Sequence, residues 1–168
     1  EPRGAEEAAR VALAVNRAPS ATARLAIAGA LLEAGNEAQA TALARGLQND
    51  GTLTGDARRQ AEALASGAAI RASDRANEAG DQAAGFDRLR PVLAQNPQDP
   101  AANLALARLY QGARRPDEAQ RIAQAVLARD PRNLEARAGA VDAAIAARDY
   151  RQAQSLIDEG RALAPNEA

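Results

Sequence analysis

The candidates for acid–base chemistry in this sequence are carboxylates in adjacent pairs: Glu6-Glu7, Asp117-Glu118 and Asp158-Glu159. Two carboxylates in different surroundings can divide the work of general acid and general base. Glu6-Glu7 and Asp117-Glu118, however, fall in the first turns of expected helices, where negative charge meets the positive end of the helix dipole. That placement accounts for them without catalysis, since a site also needs a pocket and oriented partners. The 168-residue chain has no His and no Cys, which removes Ser-His-Asp and Cys-His nucleophile systems, imidazole and thiolate metal sites, and disulfides. It has no Lys either, all 21 basic residues being Arg. Phosphate-binding loops ending in Gly-Lys and Schiff-base chemistry are thereby excluded. The sequence predicts a non-enzymatic protein with no catalytic residues, no cofactor and no metal.

The same composition bounds the elements. Alanine dominates the apolar share, and three aromatic residues, two Tyr and one Phe, are all there are. Alanine has the best helix propensity, and strand-forming residues are too sparse to give sheets their pairing faces, so the composition is all-α. Twenty-one Arg against 22 acids leave a net charge of −1, with no basic patch for nucleic acid. No stretch is apolar enough to cross a bilayer, and no amphipathic segment carries the basic face of a surface anchor. The chain begins at Glu1 and shows no signal-peptide core, which fits a fragment cut from a longer protein.

Pro97, Pro131 and Pro165 stand 34 residues apart and punctuate matched pairs of helical patterns. Apolar residues recurring at i, i+3, i+4 and i+7 predict nine helices, over 6–16, 21–34, 37–49, 56–79, 83–95, 101–112, 116–129, 134–147 and 150–163. Their expected inward residues include Leu25, Ala28, Leu31 and Leu32, then Ala40, Leu43, Ala44 and Leu47. Later helices supply Gly85, Phe86 and Leu89, Leu104 and Leu109, Ala123 and Val126, and finally Leu134, Val141, Ile145 and Leu156. Ser20 and Asp99 are expected caps, Gly35-Asn36 and Gly80-Asp81 tight turns, and Pro91 a local bend within its helix. A small residue early in each second helix, Ala8, Ala40, Gly85, Ala119 and Ala153, recurs at intervals of 32, 45, 34 and 34 residues. One interval is 11 longer than 34, about three helical turns. The surplus falls at 55–65 and continues in phase into the next helix, so a single long helix is expected there, the alternative being a break at Ser66-Gly67. The surplus is expected to interrupt regular stacking as an extra helical segment or hinge, with an N-terminal repeat cluster over 1–54 and regular repeats over 66–168.

A 34-residue unit of two helices closed by proline resembles the tetratricopeptide repeat family. The resemblance rests on Leu106, Ala107 and Tyr110 in a first helix, Ala119 in the second and Pro131 at the close, and then on Tyr150, Ala153 and Pro165. The family's tryptophan is absent, with Asn103 and Arg137 in its place, and the last repeat has Ala140-Val141 and Ala144 for the first-helix pattern. The expected fold is one all-α tetratricopeptide solenoid of about nine antiparallel helices, a surface for partners.

The run GFDRLRPVLAQNPQDPAANLALARLYQGARRPDEAQRIAQAVLARDPRNLEARAGAVDAAIAARDYRQAQSLIDEGRALAP is similar to the periplasmic repeats of the cellulose synthase operon protein C family. That resemblance implies a periplasmic scaffold attached to an outer-membrane export barrel and binding proteins of a synthesis or secretion complex. The barrel and the export role are implied by the resemblance alone, since the chain has no alternating amphipathic strands. Phe86, Tyr110 and Tyr150 are expected in the core, which leaves room for no more than weak glucan contact. Candidate partner contacts on the concave side are Asp74, Asn77, Glu78, Arg108, Gln111, Glu135 and Asp142, a mixed-charge row suited to a protein segment. Leu104 and Ala138 stand where some members carry a basic clamp for a terminal carboxylate. The other readings of the chain are a generic bacterial assembly scaffold and a docking or regulatory module of an enzyme such as a glycosyltransferase.

Overall fold

A computed structural model of the chain describes residues 20–48, 53 and 55–163. These residues form α1 (Ala21–Glu33), α2 (Glu37–Gln48), α3 (Gly55–Glu78), α4 (Gln82–Gln95), α5 (Pro100–Gly112), α6 (Pro116–Leu127), α7 (Leu134–Ala146) and α8 (Tyr150–Leu163). There is no strand among the described residues. The helix expected over 6–16, the marker Ala8 and the closing Pro165 lie outside them.

Five of the described helix starts share one local cause. Side-chain oxygens of Ser20, Asp81, Asp99, Asn133 and Asp149 accept from backbone N–H groups three residues on, at 2.9–3.2 Å. These bonds satisfy donors that a helix start leaves free. Pro100 and Pro116 occupy the first turns of α5 and α6, where a missing N–H costs nothing. Helix α4 runs through Pro91 without interruption. First helices close on left-handed residues, Gly80 (φ 79°), Arg114 (58°) and Arg148 (61°), spaced by 34. The residue after each donates back to the helix, Arg115 N to Tyr110 O and Asp149 N to Ala144 O, both at 2.8 Å, which is the Schellman closure.

The surplus forms part of one continuous helix, α3, of 24 residues; Ser66-Gly67 does not break it. The chain divides into two compact units, Glu1–Ala72 and Ser73–Ala168, with the division inside α3. In the first, Ile27, Leu31, Leu32 and Ala40 meet Ala68, and Leu25, Leu47 and Leu53 meet Ala61. Arg71 reaches from α3 to the Leu32 carbonyl at 3.1 Å.

In the second unit the successive helices pack as antiparallel pairs around alanine. Leu104 and Val126 meet Ala136; Ala107, Ala119 and Ala143 form a second cluster; Ala123, Ala140 and Leu156 form a third. The small-residue marker has a steric reason: a Cβ on Gly85 would lie 2.4 Å from Leu109 Cδ2 and 3.3 Å from the Ser73 carbonyl. Ala40, Ala119 and Ala153 are buried at the equivalent positions.

Three expected core residues are exposed instead: Leu134 (69%), Ile145 (48%) and Tyr150 (66%). On α7 the buried set is Ala136, Arg137, Ala140, Ala143 and Ala144. Alanines define the inner face there, and the larger apolar residues 134 and 145 lie on another, since each residue turns the helix by about 100°. Tyr150 begins α8, while the face turned inward carries Ala153 and Leu156. Tyr110 and Leu106 are half-buried.

Candidate functional site

Within the second unit, α3, α5 and α7 carry the row of expected contacts. Asp74, Arg108 and Asp142 are separated by 34 residues, as are Asn77 and Gln111, so they occupy the same place on successive first helices. Arg108 is the hub. Its Nε and Nη2 donate to Asp74 Oδ1 and Oδ2 at 2.9 and 2.8 Å, and its Nη1 donates to Glu135 Oε1 at 2.7 Å. The fork of a guanidinium matches a carboxylate in this two-bond geometry, which fixes position as well as charge. Burial works to lower the Arg108 pKa, but the hydrogen bonds and charges of Asp74 and Glu135 outweigh it, and the net displacement is upward. The guanidinium stays charged at every accessible pH.

Asn77 Nδ2 donates to the Arg108 carbonyl at 3.1 Å and Gln111 Nε2 to the Gly139 carbonyl at 3.3 Å. These amide bonds tie α3 to α5 and α5 to α7. Between α5 and α7 lies a partly open hollow of about 190 Å³, lined by Leu104, Ala107, Arg108, Gln111, Glu135, Ala138, Gly139 and Asp142. That is smaller than the ~300–1,000 Å³ common for small-molecule sites, and it suits a side chain or a short piece of backbone. Of the seven expected residues, Arg108, Gln111, Glu135 and Asp142 line the hollow. Asp74 and Asn77 hold Arg108 from behind. Glu78 is exposed and lies outside the lining.

The carboxylate pairs lie elsewhere. Glu118 accepts from Arg115 Nε at 2.9 Å, and that bond holds its carboxyl below the usual value. Asp158 accepts from Gln154 at 3.0 Å and Glu159 from Ser155 at 3.1 Å. Glu6-Glu7 is outside the described residues. Among those residues there is no cluster of three or more His, Cys, Asp or Glu that could hold a metal, and no helix long and apolar enough to cross a membrane. Phe86 and Tyr110 meet edge to face, with ring centroids 5.3 Å apart, and the Arg115 guanidinium lies 5.1 Å from the Tyr110 ring centre. Neither ring lines the hollow.

Sequence reasoning missed two arrangements. It placed Arg108, Asp74 and Glu135 on one face without pairing them, although the 34-residue spacing of Asp74 and Arg108 was a usable signal. It gave Arg137 no role, yet this buried side chain donates to the Leu156 and Pro131 carbonyls at 2.9 and 2.8 Å and pairs with Glu159 at 3.5 Å. Gly160 makes room for it, since a Cβ there would lie 2.7 Å from Arg137 Cδ. Arg137 thus braces α7 against α8.

The tetratricopeptide repeat model matches residues 76–127 and 112–168, more than half of the chain. Curated proteins called cellulose synthase operon protein C are also similar. The one from Komagataeibacter xylinus is 35% identical over 98% of this chain, covering 13% of that protein. The protein from Komagataeibacter sucrofermentans is 39% identical over 62% of the chain and 8% of its own length. The one from Pseudomonas fluorescens SBW25 is 30% identical over 89% of the chain and 12% of its length. The chain thus spans about a tenth of the length of the curated relatives it matches.

Proposed function

The chain belongs to the tetratricopeptide repeat family, and on that premise we propose that it is a non-enzymatic periplasmic scaffold in bacterial cellulose secretion. Its repeats bind other subunits of the synthesis and export complex and link them to an outer-membrane channel carried by the rest of the protein. The observation that carries this reading is the 35% identity to a cellulose synthase operon protein C across nearly the whole chain. The hollow between α5 and α7 adds to it, because its lining of mixed charge and small apolar residues suits a protein segment. The absence of aromatic rings from that lining argues against a glucan track, since planar rings are what stack on sugar faces.

Crosslinking of the native full-length protein in cells, followed by identification of the attached chains, tests the reading. Subunits of the cellulose-synthesising complex are expected among them. Recovery of cytosolic chains alone would overturn it. Titration of the 168-residue chain with cello-oligosaccharides is expected to show no saturation at micromolar concentration.

A further inference from the structure

We propose that the hollow between α5 and α7 receives an extended, cationic stretch of protein chain bearing two basic side chains three residues apart. The inference rests on the scaffold reading and specifies the chemistry of the partner. Three carboxylates stand against one cation here: Asp74 takes two N–H groups of Arg108 and Glu135 a third, so that cation is already committed, and Asp142 shares the lining with it. An incoming carboxylate therefore meets no uncommitted guanidinium and two excess negative charges. An incoming cation meets the reverse. Asp142 is exposed and lines the hollow, and among the described residues no hydrogen bond or ion pair occupies it. Glu135 binds Arg108 through Oε1 and leaves its side chain 64% exposed.

Spacing selects the form of the partner. Glu135 and Asp142 are seven residues apart on α7, about 10.5 Å along the axis, and three residues of a polyproline II stretch, whose side chains i and i+3 share one face, rise about 9 Å. Leu104, Ala107 and Ala138 give the hollow an apolar part against which the methylene stems of basic side chains can lie. Gly139 also lines it, and the space beside its Cα is open, with nothing within 4 Å of where a Cβ would stand.

The test is fluorescence anisotropy with the 168-residue chain and two capped peptides, Ala-Arg-Ala-Ala-Arg-Ala and its glutamate counterpart. The arginine peptide alone is expected to bind, and more weakly as salt rises from about 50 to 300 mM. Asp142→Asn and Glu135→Gln should each weaken it about two- to five-fold, with helical circular dichroism unchanged, while Asp117→Asn on α6 should not. Failure of the arginine peptide to bind, equal binding of both peptides, indifference to Asp142→Asn, or its displacement by cello-oligosaccharide would each overturn the proposal. Binding of the glutamate peptide alone would reverse the charge assignment and leave the scaffold reading standing, because that reading falls only with the crosslinking result.

Discussion

Arg137 shows what a single side chain does in a repeat built from alanine. It is buried, and its donors reach the Leu156 and Pro131 carbonyls, so one group ties the start of the last repeat to the middle of α8. Arg137→Ala removes charged donors, leaves the Leu156 and Pro131 carbonyls without them and opens a cavity. A loss of about 2–3 kcal/mol is expected in urea denaturation, and Arg137→Lys should recover less than half, because one ammonium cannot reproduce the planar fork. Ser73 is the opposite case. Its side chain is fully buried and its Oγ has no hydrogen-bond partner. A desolvated hydroxyl without a partner is a cost, so Ser73→Ala is expected to leave stability unchanged or raise it by up to about 1 kcal/mol in the same assay. Both variants lie outside the lining of the hollow, and neither should alter peptide binding.

At the scale of the element, the same substitution has opposite signs at two glycines. Gly67 lies inside α3, and a Cβ there would meet nothing within 4 Å. Gly67→Ala should therefore stabilise by about 0.5–1 kcal/mol through helix propensity alone. Gly85 lies inside α4 but against Leu109 and Ser73. Gly85→Ala should destabilise by about 1–3 kcal/mol, the range for overpacking a filled site. Thermal melts of the two variants beside the parent check the pair, and equal shifts in the same direction would contradict the packing argument. The 34-residue rhythm announced a small residue at 85; the approach of Leu109 decided that it be glycine and not alanine.

For the whole molecule, helices within each unit pack against those one or two places away along the chain, so stability should vary along the chain and not be shared equally by every residue. Gly85→Ala is accordingly expected to lower hydrogen-exchange protection in α4 to α6 far more than in α1 and α2, read by mass spectrometry of peptide fragments. A uniform loss of protection would indicate that the chain unfolds as one cooperative body. Regarding the surplus at 55–65, we propose that the helical segment it adds sets where regular stacking is interrupted, and small-angle scattering consistent with one evenly wound superhelix would remove that idea.

Most of the architecture was determined locally and was therefore legible in the sequence. Ser20 and Asp99 cap because their side chains reach an N–H three residues away; Gly80 turns because it tolerates positive φ; α3 is continuous because no residue in it forces a break. The row Arg108, Gln111, Glu135 and Asp142 was legible for the same reason, since position on a helix face follows from spacing. What only tertiary structure decided were the quantities that depend on neighbours distant in sequence. Leu134, Ile145 and Tyr150 are apolar enough for a core, yet they are exposed because alanines occupy the close contact faces of α7 and α8. Arg108 could have been the cation that receives a partner. Its pairing with Asp74, 34 residues before it, and Glu135, 27 residues after it, commits that charge within the fold and leaves the hollow acidic. Periodicity assigns a side chain to a face; the helices packed beside that face determine whether its charge is still available.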